Sequence, residues 1–452
     1  MSLPQPTPSR LIDRVRGAQE RFRAPGTTDG AEFERIKKQL HAELIEKLDF
    51  EQVAKTAKPE LTRRLRATLT DTVEARKLPL TRLEKERLVD EILDEILGLG
   101  PLEPLLRDAE ISDILINGPE TVFVEKKGKL QRLDMKFNDD AHLMQIIDRI
   151  VSAVGRRIDE TTPMVDARLQ DGSRFNAIIP PLALDGPTIS IRRFSKIPIS
   201  AEDLVNFGAL PAPFMEILKG CVKSKLNCLI SGGTGSGKTT LLNVLSSFIP
   251  HGERVITIED AAELQLQQPH VVRLETRPSN LEGRGEVTAR DLVKNALRMR
   301  PDRIILGEIR GPEAIDTLQA MNTGHEGSLA TVHANTTRDA LARMETMIGM
   351  GMPNLTDKNI REMISRALDI IVQTDRLADG SRRILALTEI TGMEGNVITT
   401  QDIFVFNQTG VSDEGRIQGS FQATGVRPKF MSRLQRNGVE IPRDHFRYKL
   451  DV

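Results

Sequence analysis

Residues 227–242, NCLISGGTGSGKTTLL, constrain this chain more than any other stretch. They contain Gly232-x₄-Gly237-Lys238-Thr239. An apolar run, Cys228-Leu229-Ile230, precedes that pattern, and Leu241-Leu242-Asn243-Val244-Leu245 follows it. A buried strand, a glycine turn and a helix beginning near Lys238 can wrap backbone N–H groups around a phosphate. Glycines are required because a Cβ would intrude between the amides and the anion. The helix directs its positive end at the same point. Lys238 supplies a point charge to the β- and γ-phosphates, and the Thr239 hydroxyl can ligate Mg²⁺. The expected nucleotide-binding residues are therefore Gly233, Thr234, Gly235, Ser236, Gly237, Lys238, Thr239 and Thr240. The guanine-reading pattern, Asn or Thr followed by Lys-x-Asp, does not occur, which favours ATP.

Phosphoryl transfer to water also needs a carboxylate to orient or deprotonate the nucleophile. Two apolar runs lead into acids: Val255-Ile256-Thr257-Ile258 into Glu259-Asp260, and Arg303-Ile304-Ile305-Leu306-Gly307 into Glu308. In an open α/β sheet, ligands bind beyond the carboxyl ends of the strands. Glu308 fits the position that holds Mg²⁺ through water, with Thr239 as the other metal ligand, and Glu259 fits the base. The two roles are interchangeable at this level. His325 and His333 bracket a further apolar run, and an imidazole there could sense the γ-phosphate. No third ligand joins them, so zinc is not expected.

The surrounding chain reads as four regions. Residues 1–30 are rich in Pro, Arg and Gly and read as disordered, with a short basic helix over 11–22. Residues 31–98 carry apolar residues at helical spacing: Phe33, Ile36, Leu40 and Leu44, then Leu61, Leu65, Leu69 and Val73. Thr81-x-x-Glu84 is a capping-box pattern opening a third helix, and Gly98, Gly100 and Pro101 stop it. A helical bundle is expected there. Residues 102–200 read as an α/β N-terminal domain. Strands are expected over 111–116, 121–125 and 188–194, a helix over 139–154, and a hairpin turn at Asp171-Gly172. From about 205 to 425 the alternation of apolar strands with helical stretches predicts a parallel sheet covered on both faces. This last domain runs to 452 with a C-terminal extension.

Composition narrows the partners. With 63 Lys and Arg against 64 Asp and Glu, the net charge is −1. Aromatics are 4%, with no Trp and only Tyr448 among tyrosines. Neither the charge nor the aromatics suits a surface that binds nucleic acid. The two cysteines, Cys221 and Cys228, fit no common zinc pattern and read as core residues in a reducing compartment. No apolar run approaches the ~18 residues of a membrane span, so any work at a membrane is expected to go through protein partners.

Taken in order, SGGTGSGKTTLLN, VITIEDAAEL, RMRPDRIILGEIRGPEA and GHEGSLATVHANT resemble the Walker A, Asp, Walker B and His boxes of the type II and type IV secretion ATPases. GEIRGPEA with GHEGSLATVHANT is most similar to the VirB11-like branch, and within it to the tight-adherence (Tad) pilus ATPases called CpaF or TadA. A helical extension before the α/β domain also resembles that subgroup, and no tetra-cysteine module is present. The resemblance implies a RecA-like domain, a homo-hexamer, and ATP with Mg²⁺ bound between the two domains. It implies a cytoplasmic motor, peripheral at the inner face of the cytoplasmic membrane. The motor would act on an inner-membrane platform to power assembly, or assembly and retraction, of a Tad-type pilus. Arginines of the N-terminal domain would reach the phosphates. The matching stretches are Asp171-Gly172-Ser173-Arg174 and Ile189-Ser190-Ile191-Arg192-Arg193, giving Arg174, Arg192 and Arg193. Three alternatives stay open: a type IV secretion motor with the same four boxes, a DNA translocase, and a nucleotide-binding scaffold without turnover.

Overall fold

The computed structural model describes residues 30–47, 58–126, 128–169, 171–193, 198–277, 279 and 284–452. The reading of residues 1–29, basic helix included, lies outside them. The chain divides into two compact units, Met1–Ser195 and Lys196–Val452.

The first unit begins with three helices, α1 (Gly30–Lys47), α2 (Lys58–Ala75) and α3 (Arg82–Leu97). Their apolar stripes meet in one cluster of Phe33, Ile36, Leu40, Leu65, Leu69, Val73, Leu88, Val89, Ile92 and Leu93. The capping box is present: Thr81 accepts from the Glu84 amide, and the Glu84 side chain returns to the Thr81 amide. The amides of Gly98 and Gly100 both donate to the Asp94 carbonyl and end α3 there. Gly100 sits at φ +56°, a conformation that glycine adopts without steric cost. A short helix, α4 (Leu102–Arg107), leads into the sheet.

That sheet has six strands, all antiparallel: β1 (Ile111–Asn117), β2 (Val122–Lys126), β3 (Lys129–Leu133), β4 (Met164–Arg168), β5 (Arg174–Ile178) and β6 (Thr188–Arg192). Their order is β3-β2-β1-β6-β5-β4. Helix α5 (Asp140–Ala153) is capped by Asp139 and lays Leu143, Ile146, Ile147, Ile150 and Val151 into the same core as the inward residues of the strands. The β4–β5 turn is held by Asp171, whose carboxylate accepts from the Ser173 amide and hydroxyl, with Gly172 at φ +91°.

The second unit contains helices α6 (Ala201–Asn206) and α7 (Ala212–Lys223), then β7 (Cys228–Gly232), α8 (Lys238–Ser246), β8 (Val255–Glu259), β9 (Val271–Glu275), α9 (Ala289–Ala296), β10 (Arg303–Ile309), α10 (Glu313–Asn322), β11 (Leu329–His333), α11 (Thr337–Gly351), α12 (Asp357–Ala367) and β12 (Ile370–Arg376). It closes with β13 (Arg382–Glu394), β14 (Val397–Val411), β15 (Ile417–Ala423), α13 (Met431–Arg436) and β16 (Lys449–Asp451). These strands form one sheet of ten, ordered β16-β15-β14-β13-β12-β7-β11-β10-β8-β9. Six of them, β12-β7-β11-β10-β8-β9, pair in parallel. From β12 onward the pairing is antiparallel. The expectation of a parallel sheet from about 205 to 425 is thus corrected: the last four strands form a meander. Short turns join β12 to β13, β13 to β14 and β14 to β15, such as the one between Glu394 and Val397, and a parallel crossover needs a dozen or more residues; a longer segment carrying α13 leads from β15 to β16.

Both faces of the sheet are covered. Cys228 and Ile230 point into the core formed with α7 and α8, whereas Leu229 points into that formed with α10, α11 and α12. Cys221 and Cys228 are buried and unbonded, and burial pushes the Cys228 thiol up to about 12. Among the described residues no helix is long and apolar enough to cross a membrane.

The largest fully buried side chain is Arg303 at the start of β10. Its Nε and Nη2 donate to Glu253, at 2.6 and 3.0 Å, and its Nη1 donates to the carbonyls of Val222 and Gly327. Removing one partner of a buried pair leaves an uncompensated charge. Glu253→Ala is therefore expected to cost about 3–5 kcal/mol in chemical unfolding of the full chain. An unchanged denaturation midpoint would show that the guanidinium finds solvent.

Candidate functional site

The glycine turn is delivered by β7, whose five residues are all buried. β7 lies between β11 and β12, so Gly232 faces His333 on one side and Thr374 on the other. A Cβ at Gly232 would lie 2.4 Å from the Thr374 carbonyl oxygen, so only glycine fits. Gly235 at φ +71° and Gly237 at φ +94° turn the chain through the left-handed region, and α8 starts at Lys238. Thr239 and Thr240 follow in its first turn. Lys238 is 7% exposed; its ammonium donates to the Gly233 carbonyl at 2.7 Å and lies 3.5 Å from His333 Nδ1.

From His333 the contacts run on to the acids. His333 Nε2 is 3.2 Å from Glu308 Oε1, and Arg310 Nη2 donates to Glu308 Oε2 at 2.8 Å. Arg310 Nη1 is 3.2 Å from Asp260. Burial lowers the His333 pKa, and the positive Lys238, Arg310 and Arg343 add to this, against Glu308, which raises it. Glu308 does not follow its strand, as the sequence suggested; β10 continues to Ile309. Between the paired positions Leu306–Ala330 and Ile309–Val332, two residues of β10, Gly307 and Glu308, stand opposite one of β11, Thr331. This bulge surrounds Gly307 and Glu308, and such an extra residue bends the strand and re-aims its side chains.

Glu259 ends β8 and is 4% exposed. Its Oε2 accepts from the amides of Glu263 and Leu264, at 2.7 and 2.9 Å. Its Oε1 is buried without a hydrogen-bond partner among the described residues. Burial pushes the carboxyl up to about 7, against the pull of those two amides. A Cβ at Gly307 would lie 3.0 Å from Glu259 Cγ, so glycine at the bulge lets the two acidic strands meet.

The second histidine does not join this group. His325 precedes β11, and His333 ends it, so the two lie at opposite ends of a five-residue strand. The His325 carbonyl holds the Ser328 hydroxyl instead.

In the first unit the expected arginines separate into two kinds. Arg192 on β6 pairs across the sheet with Arg174 on β5, which pairs with Arg168 on β4. Asp113 on β1 stands opposite Arg192, with its carboxylate 4.0 Å from the guanidinium. Three arginines thus stand in register across adjacent strands, where like charges repel. Arg193, by contrast, turns its Nη1 onto the carbonyls of Leu105, Asp108 and Ile111 and ties down the α4–β1 connection.

The residues fit a Mg²⁺-nucleotide. Ser236 Oγ in the turn and Glu259 Oε1 are both buried without hydrogen-bond partners among the described residues. Among the described residues no group of three His, Cys, Asp or Glu could hold a metal. Thr239 and Glu308 are the side chains that would hold Mg²⁺. Sequence reasoning missed Arg310, Arg168 and Thr374. Arg310 alone left a local signal, two residues beyond Glu308.

Residues 95–418 match the family described as Type II/IV secretion system protein. The chain belongs to this family. A Mycobacterium tuberculosis protein provisionally named as a conjugal transfer protein is 37% identical over 327 residues, covering 71% of this chain and 92% of that protein. Conjugal transfer protein TrbB of Rhizobium radiobacter is 32% identical over 326 residues, covering 71% and 96%. The VirB11 ATPase of the Brucella suis type IV secretion system, solved as a crystal structure with sulphate, is 28% identical; the match covers 64% of this chain and 95% of that one, with a TM-score of 0.36.

The state of Glu259 in this secretion-family chain is measurable. Its carboxyl binds a proton more tightly in the folded chain, at about 7, than in the unfolded chain, near 4.5. Folding then takes up a proton between these values, and stability falls as pH rises through that window, by about 3 kcal/mol in all. Glu259→Gln removes this dependence. In nucleotide-free urea unfolding, the stability of the variant relative to wild type is expected to rise by about 3 kcal/mol between pH 4 and pH 8. A difference independent of pH would contradict the buried-acid assignment.

Proposed function

We propose that the second unit hydrolyses ATP with Mg²⁺, and that turnover drives a homo-hexameric motor for a Tad-type pilus. The observation that carries the reading is the run of contacts from the phosphate-loop Lys238 through His333 to Glu308, with the buried Glu259 carboxylate beside it. Lys238 and the turn amides take the β- and γ-phosphates. Thr239 and Glu308 would hold Mg²⁺, which would supply charge stabilisation at the transferring phosphoryl group. Glu259, with a pKa near neutrality, orients water and accepts its proton. His333 lies between Lys238 and Glu308, where it registers whether phosphate is bound. Arg174 and Arg192 supply further positive charge to the transferring group.

Assembly, or assembly and retraction, of the pilus then follows from nucleotide-dependent movement against an inner-membrane platform. The motor works at the inner face of the cytoplasmic membrane, held there by protein partners. The names of the conjugal-transfer and VirB11 relatives favour a second reading, a type IV secretion motor.

Site and system are tested separately. Lys238→Ala is expected to abolish binding of a fluorescent ATP analogue. Glu259→Gln should retain binding and lose at least about 100-fold in phosphate release, as for removal of a positioned base. Arg192→Ala should bind normally and lose turnover. Wild-type turnover in Glu259→Gln would sink the assignment of the base. Deletion of the gene, complemented with wild type or Glu308→Ala, distinguishes the systems. Surface pili restored only by wild type support the Tad reading. Unchanged pili with failed conjugation or effector export support the other.

A further inference from the structure

A phosphate loop turns its amides inward, so its carbonyls point outward and need donors of their own. In this chain the donors come from the antiparallel side of the sheet. Thr374 Oγ1 on β12 donates to the Ser236 carbonyl at 2.9 Å. Arg382 Nε, the first residue of β13, donates to the Gly235 carbonyl at 2.9 Å. Its Cδ lies 3.4 Å from where a Cβ on Gly237 would stand. Arg376, the register partner of Arg382, lies over the same turn, with Nη1 3.8 Å from a Cβ built on Gly235. The turn between these strands is itself fixed: Asp379 accepts from the Ser381 amide and hydroxyl and from the Ile417 amide on β15.

We propose that the β12–β13 hairpin is a further part of the nucleotide site, with Arg382 as the positioning residue for the β-phosphate cradle. By holding the Gly235 carbonyl outward, Arg382 fixes the orientation of the 235–236 peptide, whose amide faces the opposite way and donates to the Gly233 carbonyl at 3.4 Å. Thr374 does the same for the next peptide. Gly235, at φ +71°, is free to rotate between several backbone states, so an outside clamp changes how much of the loop is ready to receive phosphate. The guanidinium also adds positive potential on the outer side of the turn. The clamp acts on the loop and not on the adenosine. Its loss is therefore felt by nucleotides that carry a β-phosphate and not by AMP.

This inference rests on the reading of residues 233–240 as the nucleotide site, and the experiment keeps the two apart. Binding of Mg-ADP and of AMP to the full chain is measured calorimetrically for wild type, Arg382→Ala, Thr374→Val and Lys238→Ala. Thermal unfolding is recorded without nucleotide. Loss of one such clamp is expected to weaken ADP about tenfold in Arg382→Ala, with a smaller loss in the same direction for Thr374→Val. AMP affinity stays at the wild-type value, and the unfolding midpoint of Arg382→Ala moves by less than about 2 °C. If Lys238→Ala abolishes ADP binding while Arg382→Ala binds it as wild type does, the positioning role is overturned and the site stands. If AMP weakens as much as ADP, or the unfolding midpoint falls with the affinity, Arg382 serves general structure and the proposal also fails. If Lys238→Ala binds ADP normally, the site itself is wrong and the proposal falls with it.

Discussion

The structure of the second unit depends on placing a buried ammonium at the positive end of a helix. Lys238 begins α8, where the helix dipole already disfavours a cation, and the residue is 7% exposed. Such an arrangement suits a place meant for an anion. Its surroundings answer the same requirement. The Gly233 carbonyl receives the ammonium, His333 comes within 3.5 Å, and Glu308 faces the other side of that imidazole. The parallel order of β7, β11, β10 and β8 brings the carboxyl ends of these strands together at one end of the sheet. Without that order, acids separated by dozens of residues would not meet.

Burial gives the two acids different states, although both belong to strands of one sheet. Glu308 is bound to Arg310 and faces an imidazole, so its charge is compensated. Glu259 has two amides on one oxygen and, among the described residues, nothing on the other, and its proton affinity rises toward neutrality. Environments that separate the behaviour of two carboxylates underlie the division of roles we propose, with Glu308 holding the ion and Glu259 accepting the proton. Gly307 allows this division, since any side chain there would press on Glu259.

Much of the local structure was legible because its causes are local. The Thr81–Glu84 capping box, the Asp171-Gly172 turn and the helix capped by Asp139 each follow from residues within a few positions of one another. The glycine turn between β7 and α8 is of the same kind. What could not be read depends on pairing between distant strands. The bulge at Gly307 and Glu308 exists only relative to β11, and the meander from β12 onward depends on which strand each run meets. Arg192 and Arg193 are adjacent in sequence. Their divergence, one into a row with Arg174 and Arg168 and the other onto the α4–β1 carbonyls, follows from strand alternation and from α4 lying where it does. His325 and His333 looked like a pair in sequence, and the length of β11 separates them.

The central claim is that Lys238 is held by the Gly233 carbonyl until a phosphate replaces it. The most direct measurement is a crystal structure of the full chain with Mg²⁺ and a non-hydrolysable ATP analogue. The account predicts the ammonium within about 3 Å of β- and γ-phosphate oxygens, released from Gly233, with Thr239 on the metal. Nucleotide bound elsewhere, with Lys238 still on the Gly233 carbonyl, would contradict it.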